Sequence, residues 1–119
     1  MSTAALHASA FYEDAAKNRV VFTFLDDESF LVFRVEAAEV VPFWSTRSRM
    51  DRVRDLHPKY AGYVIEEIPL SEFLARTLPL LAEGGVRVGV NWSGARLSGY
   101  DISVDDVRRN ISHHVGHEG

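Results

Sequence analysis

The densest chemistry in the sequence lies in VVPFWSTRSRMDRVRDL, residues 40–56, where Phe43 and Trp44 precede four arginines in a chain that is acidic overall. Ser45 or Thr46 suits a helix cap. Together with Arg47, they stand where free N–H groups and the positive end of the helix dipole would receive an anion or a partner's carboxylates. On a helical wheel Arg47 and Arg54 border the apolar stripe on one side and Arg49 and Arg52 on the other, so the four cations do not converge. Asp51 and Asp55 fall three or four residues from these arginines, and each such pair is worth only about 0.2–0.5 kcal/mol. The segment therefore reads as a solvated amphipathic helix with snorkelling arginine stems, as an anion-receiving surface, or as a dimer contact.

A second set is NWSGARLSGYD, residues 91–101. It holds Asn91 and Trp92 at a strand's end, two glycines that permit left-handed backbone, Arg96, and Tyr100-Asp101 before a helix cap. As a binding loop it would use Trp92 and Tyr100 as anchors and Arg96 for directional hydrogen bonds. As plain structure, Trp92 would cover the core edge, the Ser-Gly pairs would make turns, and Tyr100 would pack under the last helix. The candidate contact residues are Trp44, Arg47, Asn91, Trp92, Arg96, Tyr100 and Asp101.

Other chemistry is thinly supplied. His113 and His117 stand at i and i+4, with His114 beside them, but Gly116 weakens a helix there and no H-E-x-x-H pattern completes a metal site. His7 and His57 are isolated, and His57 before Pro58 suits a helix-end cation. Glu66 and Glu67 are adjacent on a strand and face opposite ways, a poor acid–base pair. No G-x-S-x-G elbow or phosphate-binding glycine fingerprint occurs, and GGVRVG stands before and within a strand, the wrong context for a dinucleotide loop.

Bulk properties narrow the classes further. With 17 acidic against 13 basic side chains, duplex nucleic acid and anionic membranes would be repelled overall. The absence of cysteine removes thiolate catalysis, disulfides and cysteine-based metal sites, and favours the cytosol. No basic-then-apolar leader or membrane-length apolar run is present, so a soluble intracellular protein is expected. A chain of 119 residues at 46% apolar supports one core without staples.

The elements that must position these residues follow from periodicity. Residues 3–17 are alanine-rich and helical, with Leu6, Ala10 and Ala15 near helical spacing. Residues 20–25 and 29–35 read as antiparallel strands around the turn Asp26-Asp27-Glu28, the first covered on both faces. VVPF is a short strand or strand end, because Pro42 cannot donate to a ladder. In the arginine helix Met50, Val53 and Leu56 share one arc that should face the core, and Pro58 ends it. AGYVIEEIPL gives another strand. Residues 70–85 form a helix with Ser71 as cap and Gly84-Gly85 as stop, and Pro79 should kink or tighten its last turn. Val86, Val88 and Val90 line one face of a following strand, and Gly89 leaves room on the other. A short strand at residues 100–102 and a helix capped at Ser103 complete the order. Residues 1–112 form one domain and residues 113–119 a flexible tail.

The blocks FYEDAAKNRVVFTFLDDESFLVF, VPFWSTRSRMDRV and EEIPLSEFLARTLPLLAEGGVRVGVNWSG, followed by a capped helix, together resemble domain-of-unknown-function family 2750, a group of small bacterial proteins. The resemblance spans roughly residues 11 to 111 and implies one compact α+β domain. It implies no activity, cofactor or catalytic residue. The expected fold is α+β, a mostly antiparallel or mixed sheet packed with about four helices. The expected function is a non-enzymatic cytosolic interaction module, immunity-like or regulatory, whose acidity would suit a basic protein partner. The alternative is a small-molecule-binding or catalytic domain that uses the 91–101 loop with the helix start at 45–47. That alternative requires the two segments to meet around a concave pocket. No cofactor, metal, nucleic acid or membrane is expected, and the chain should be a monomer or homodimer.

Overall fold

The computed structural model describes the backbone of residues 2–118 and the side chains of residues 2–116. Helix α1 (Thr3–Asn18) is capped by Ser2, whose hydroxyl accepts from the Ala5 amide. Its buried face is Ala8, Phe11, Tyr12, Ala15 and Ala16; Leu6, expected on the apolar side, is exposed. Arg19 then ends the helix in a left-handed conformation, and its carbonyl accepts from the Leu70 amide.

Strands β1 (Val20–Asp26) and β2 (Ser29–Phe30) form the expected hairpin, with Leu25 opposite Phe30. Asp27 and Glu28 both have positive φ, as a two-residue primed turn requires. The pairing is shorter than the apolar run suggests. After Leu31 and Val32 the chain leaves this sheet, and β3 (Phe33–Val35) pairs instead with β4 (Ala38–Phe43) in a second one.

The first sheet has order β2-β1-β5, where β5 is Val64–Pro69; the second has order β3-β4-β6-β7, where β6 is Arg87–Val90 and β7 is Asp101–Ile102. All pairs are antiparallel except β4–β6. Phe22 and Trp44 exchange reciprocal backbone hydrogen bonds of 2.8 Å, joining the two sheets at a corner. Pro42 lies inside a central strand, which strand chemistry disfavours, but β3 pairs only with residues 38–40 of β4, so no ladder bond is lost on that side. Its carbonyl accepts from the buried Thr23 hydroxyl at 2.7 Å.

Side chains alternate between two cores, so β1 is covered on both faces as expected. Val21, Val41, Phe43, Val88 and Val90 pack with α1, with the helical run of residues 70–83 and with the last helix, α5 (Val104–Glu118). Phe22, Phe24, Val40 and Trp44 pack on the opposite side with α2 (Arg47–Leu56) and the 3-10 turn Pro58–Gly62. Met50 and Val53 of α2 are buried there, each worth about 1.5–3 kcal/mol.

The run at residues 70–83 consists of α3 (Leu70–Glu72), a π-helical stretch Phe73–Thr77 and α4 (Leu78–Glu83). The π-turn sends the Leu78 amide to the Phe73 carbonyl, loosening the backbone just before Pro79. The helix begins at Leu70 after Pro69, and Ser71 makes no cap. Ser103 does cap α5, accepting from the Asp106 amide at 3.2 Å. The α5 helix continues through residues 113–118 instead of ending at 112. His114 bonds the Asn110 carbonyl and stacks on Tyr12, while Val115 packs on the core. The side chain of His117, half of the i, i+4 pair, and the final residue of the tail lie outside the described residues. Among the described residues no helix is long and apolar enough to cross a membrane.

Candidate functional site

The two segments singled out by sequence meet at a buried polar knot. Asn91 ends β6 in a left-handed conformation (φ 50°), which asparagine tolerates better than most residues. Its amide N–H donates to the Phe43 carbonyl at 2.9 Å, and its Oδ1 accepts from the Ser45 N–H at 2.9 Å. Its Nδ2 donates to Ser45 Oγ and to the His7 carbonyl, both at 3.0 Å. The Ser45 hydroxyl in turn donates to Asp14 Oδ2 at 3.0 Å. Asn91 is only 1% exposed, and this network satisfies both ends of its amide. It fixes α1, the start of α2 and the end of β6 relative to one another.

Trp92 lies beside the knot. Its Nε1 donates to the Tyr100 carbonyl at 3.0 Å, and its own carbonyl accepts from Trp44 Nε1 at 2.8 Å. The indole passes over two glycines. A Cβ on Gly89 would stand 2.5 Å from Trp92 Cε2, and one on Gly99 would stand 2.8 Å from Cδ1. The room left by Gly89 is filled by this ring.

Outside Trp92 lies a small concave cleft of about 70 Å³ between α1, α2 and the turn at Ser93-Gly94. His7, Arg49, Arg52 and Ser93 supply its polar groups, and Trp92, Val53 and Leu56 its apolar wall. The turn is held by a backbone bridge between Ser93 and Ser98 and by His57 Nε2, which is 2.9 Å from the Gly94 carbonyl. The His7 Nδ1 and Ser93 Oγ atoms are 3.0 Å apart. Burial, and then the positive charges of Arg49 and Arg52, lower the pKa of His7 below the usual histidine value. Neutral imidazole is therefore the favoured form near pH 7, and the two guanidinium groups are the cleft's charge.

Neither Arg49 nor Arg52 closes an ion pair among the described residues. The pairs that do form are Arg87–Asp101 at 2.6 Å and Arg109–Asp106 at 2.8 Å. Asp51 and Asp55, well spaced along the helix, close none with the arginines of α2. The cleft is thus a locally cationic recess on an acidic protein. Among the described residues no carboxylate bonds the His7 imidazole, so the His7–Ser93 pair lacks the orienting third group of a nucleophilic triad. No group of three histidine or carboxylate side chains among the described residues is placed to hold a metal ion.

The structure distributes the candidate contact residues over several roles. Trp44 (0% exposed) and Asn91 offer no surface to a partner, because the bonds that set the fold consume their polar atoms. Arg47 is exposed and stands outside the cleft, since it lies on the other border of the helix. Asp101 is paired with Arg87 through both its carboxylate and its carbonyl. Arg96 is exposed on the loop. Tyr100, 44% exposed, lines a second depression that shares His7, Ser93 and Gly94 with the cleft. Of the seven, Trp92 alone lines the cleft.

Sequence reasoning passed over His7, Arg49, Arg52, Ser93 and Leu56. The arginines do converge in part, because the 92–94 turn and α1 close over one border of α2. Leu56, expected in the core, is 58% exposed at the cleft's rim, on the final residue of α2. Arg54 departs from the surface picture as well. It lies 5.8 Å from the Phe24 ring centre and donates to the Tyr63 carbonyl, bracing the start of β5. The one legible hint was that both border pairs flank the same apolar stripe.

A family model described as a protein of unknown function (DUF2750) matches residues 8–111. No curated protein and no solved structure matches the chain.

Proposed function

We propose that this chain, which belongs to the DUF2750 family, is a small binding module that takes an anionic group into the cleft between α2 and the 92–94 turn. The observation that carries the reading is that Arg49 and Arg52, neither of them in an ion pair, line one concave recess with His7 and Ser93, and that their charges act on the His7 imidazole. Arginine suits such a role because its planar fork donates two parallel hydrogen bonds to carboxylate or phosphate oxygens. Ser93 can donate or accept, and His7 can present its remaining ring nitrogen to the ligand.

This reading favours the ligand-binding alternative over an interaction module for a basic protein, since the concave site carries positive charge. Binding is proposed here without turnover, because the histidine–serine pair has no orienting carboxylate. A cytoplasmic setting in a bacterium, where anionic metabolites are abundant, belongs to the same proposal.

The test is a titration of inorganic phosphate at constant ionic strength, read by tryptophan fluorescence and by amide chemical shifts of Ser93 and Gly94. A saturable response is expected that is lost in Arg49→Gln/Arg52→Gln and retained in Arg47→Gln. A response that does not saturate, or that survives the double substitution, overturns the reading.

A further inference from the structure

The outer edge of β5 is open, and the side chains along it select what would pair there. We infer that β5 is a strand-addition site for an extended, basic segment of a partner protein. The site is separate from the α2 cleft and does not depend on that cleft's occupant.

The phase of the hydrogen bonds identifies the free groups. Phe22 spends its N–H and its carbonyl on Trp44, and the Phe24 carbonyl accepts from the Leu31 amide, so both residues turn their backbones away from β5. Their partners across the ladder are Glu67 and Ile65. In an antiparallel pair of this type the two residues exchange no bond, and the backbone groups of both point outward. The N–H and carbonyl of Ile65 and of Glu67 therefore face away from β1, and among the described residues nothing bonds them. Val64, Glu66 and Ile68 make the ladder with β1 instead. Arg54 closes the edge at one end by donating to the Tyr63 carbonyl, and Pro69, which has no N–H, closes it at the other. The gap between them is the kind that a short added strand fills.

Charge decides the occupant. A second copy of β5, laid antiparallel so that Ile65 and Glu67 of both strands exchange bonds, would set each Glu66 directly opposite the other. Like charges in that position are destabilising. The same carboxylate favours lysine or arginine on an incoming strand, and Glu67 does so on the other face. Glu66 also lines a depression with Glu28, Glu72 and Arg76, and none of the three carboxylates closes an ion pair among the described residues. The surroundings are thus acidic. Val64 is 60% exposed on the strand itself and Leu80 is 58% exposed at the depression. A strand that carries both basic and β-branched residues would cover this apolar surface while pairing the carboxylates.

The probe is the peptide acetyl-Thr-Lys-Lys-Val-Val-Thr-amide, which in antiparallel register sets its lysines opposite Glu67 and Glu66 and its valines opposite Ile65 and Val64. Binding is read by NMR from amide hydrogen exchange. In the free protein the Ile65 and Glu67 amides should exchange rapidly, and the peptide should protect both saturably. Glu66→Lys/Glu67→Lys should weaken binding about tenfold or more, with the Val64 and Ile68 amides reporting that the ladder with β1 is intact. Two control peptides act on the wild-type protein, so the test stands even if that variant does not fold. One is methylated on its second and fourth backbone nitrogens, which face the Glu67 and Ile65 carbonyls, and the other has glutamate in place of lysine; neither should bind. Failure of the basic peptide to protect Ile65 and Glu67 overturns the inference. Equal binding of the methylated peptide overturns strand addition, and equal binding of the glutamate peptide overturns the basic occupant. Protection of both amides without peptide, together with a doubled mass in sedimentation, identifies a second copy as the occupant and overturns it too.

Discussion

The side-chain amide of Asn91 donates to the backbone carbonyl of His7, 3.0 Å away in space and 84 positions away in sequence. Through that one bond the end of β6 sets where the first helix lies, and therefore where the His7 imidazole meets Ser93 at the cleft. The remaining atoms of the Asn91 amide hold Ser45 at the start of α2. Both walls of the cleft are thus positioned by one buried side chain.

Replacing Asn91 with alanine should strand the Ser45 N–H and loosen α1. Leaving a buried polar group unpaired costs about 1–3 kcal/mol, so the urea midpoint should fall accordingly. Asn91→Asp should cost more than Asn91→Ala, because it adds a buried negative charge near Asp14, which already accepts from Ser45. Equal midpoints for wild type and Asn91→Ala would show that the knot contributes nothing to stability.

Gly89→Ala should be destabilising although alanine favours folded backbone over glycine. The added methyl group would meet Trp92 Cε2 at 2.5 Å, and overpacking of this kind costs about 1–3 kcal/mol. The tryptophan emission maximum should shift as the indole is displaced. The contrasting variant is Gly62→Ala, since a Cβ at Gly62 meets nothing within 4 Å; it should leave the emission unchanged.

Arg54 should tolerate removal poorly for a helix residue in a polar stretch. Arg54→Ala forfeits the hydrogen bond to the Tyr63 carbonyl and the guanidinium's position over the Phe24 ring, with an expected loss of about 1–3 kcal/mol in denaturant unfolding. Arg47→Ala, on an exposed side chain of the same helix, should lie within about 0.5 kcal/mol of wild type.

Stability should depend on pH through His7. Its pKa in the fold is lowered from 6.5 by burial and by the charges of Arg49 and Arg52, so below pH 6.5 the unfolded chain binds the proton first. The contribution is present above that value and declines as pH falls through the folded pKa. His7→Gln should flatten this part of the profile. Added phosphate should raise the His7 pKa again, observable as a shifted imidazole titration in NMR, because the anion reverses the local field.

At the alkaline end Tyr12 should dominate. Burial raises its pKa above 10, the side chain of Asn110 opposes the rise, and the charge of Asp106 adds to it. The unfolded chain therefore loses its proton at lower pH than the folded one, and stability should decline above pH 10 as the solution passes toward the folded pKa. Tyr12→Phe should remove that decline, which thermal melts across the range would record.

Local chemistry in the sequence determined most of the elements and some of their ends. Apolar alternation marked β1 as covered on both faces, Ser103 capped the last helix, and Asp27-Glu28 made a tight hairpin turn. Gly89 marked room for close packing on one face of its strand, without saying by what. These features depend on neighbours a few residues apart, so periodicity and propensity carry them. The exchange of β3 into the second sheet, the exposure of Leu56 and the choice of Arg49 and Arg52 over Arg47 were decided only by tertiary structure. A helical wheel says which side of α2 is apolar, but not which distant segment will close over each border. His7 gained its role in the same way: an isolated histidine in the first helix became part of a site because Asn91, far along the chain, had a buried amide to satisfy.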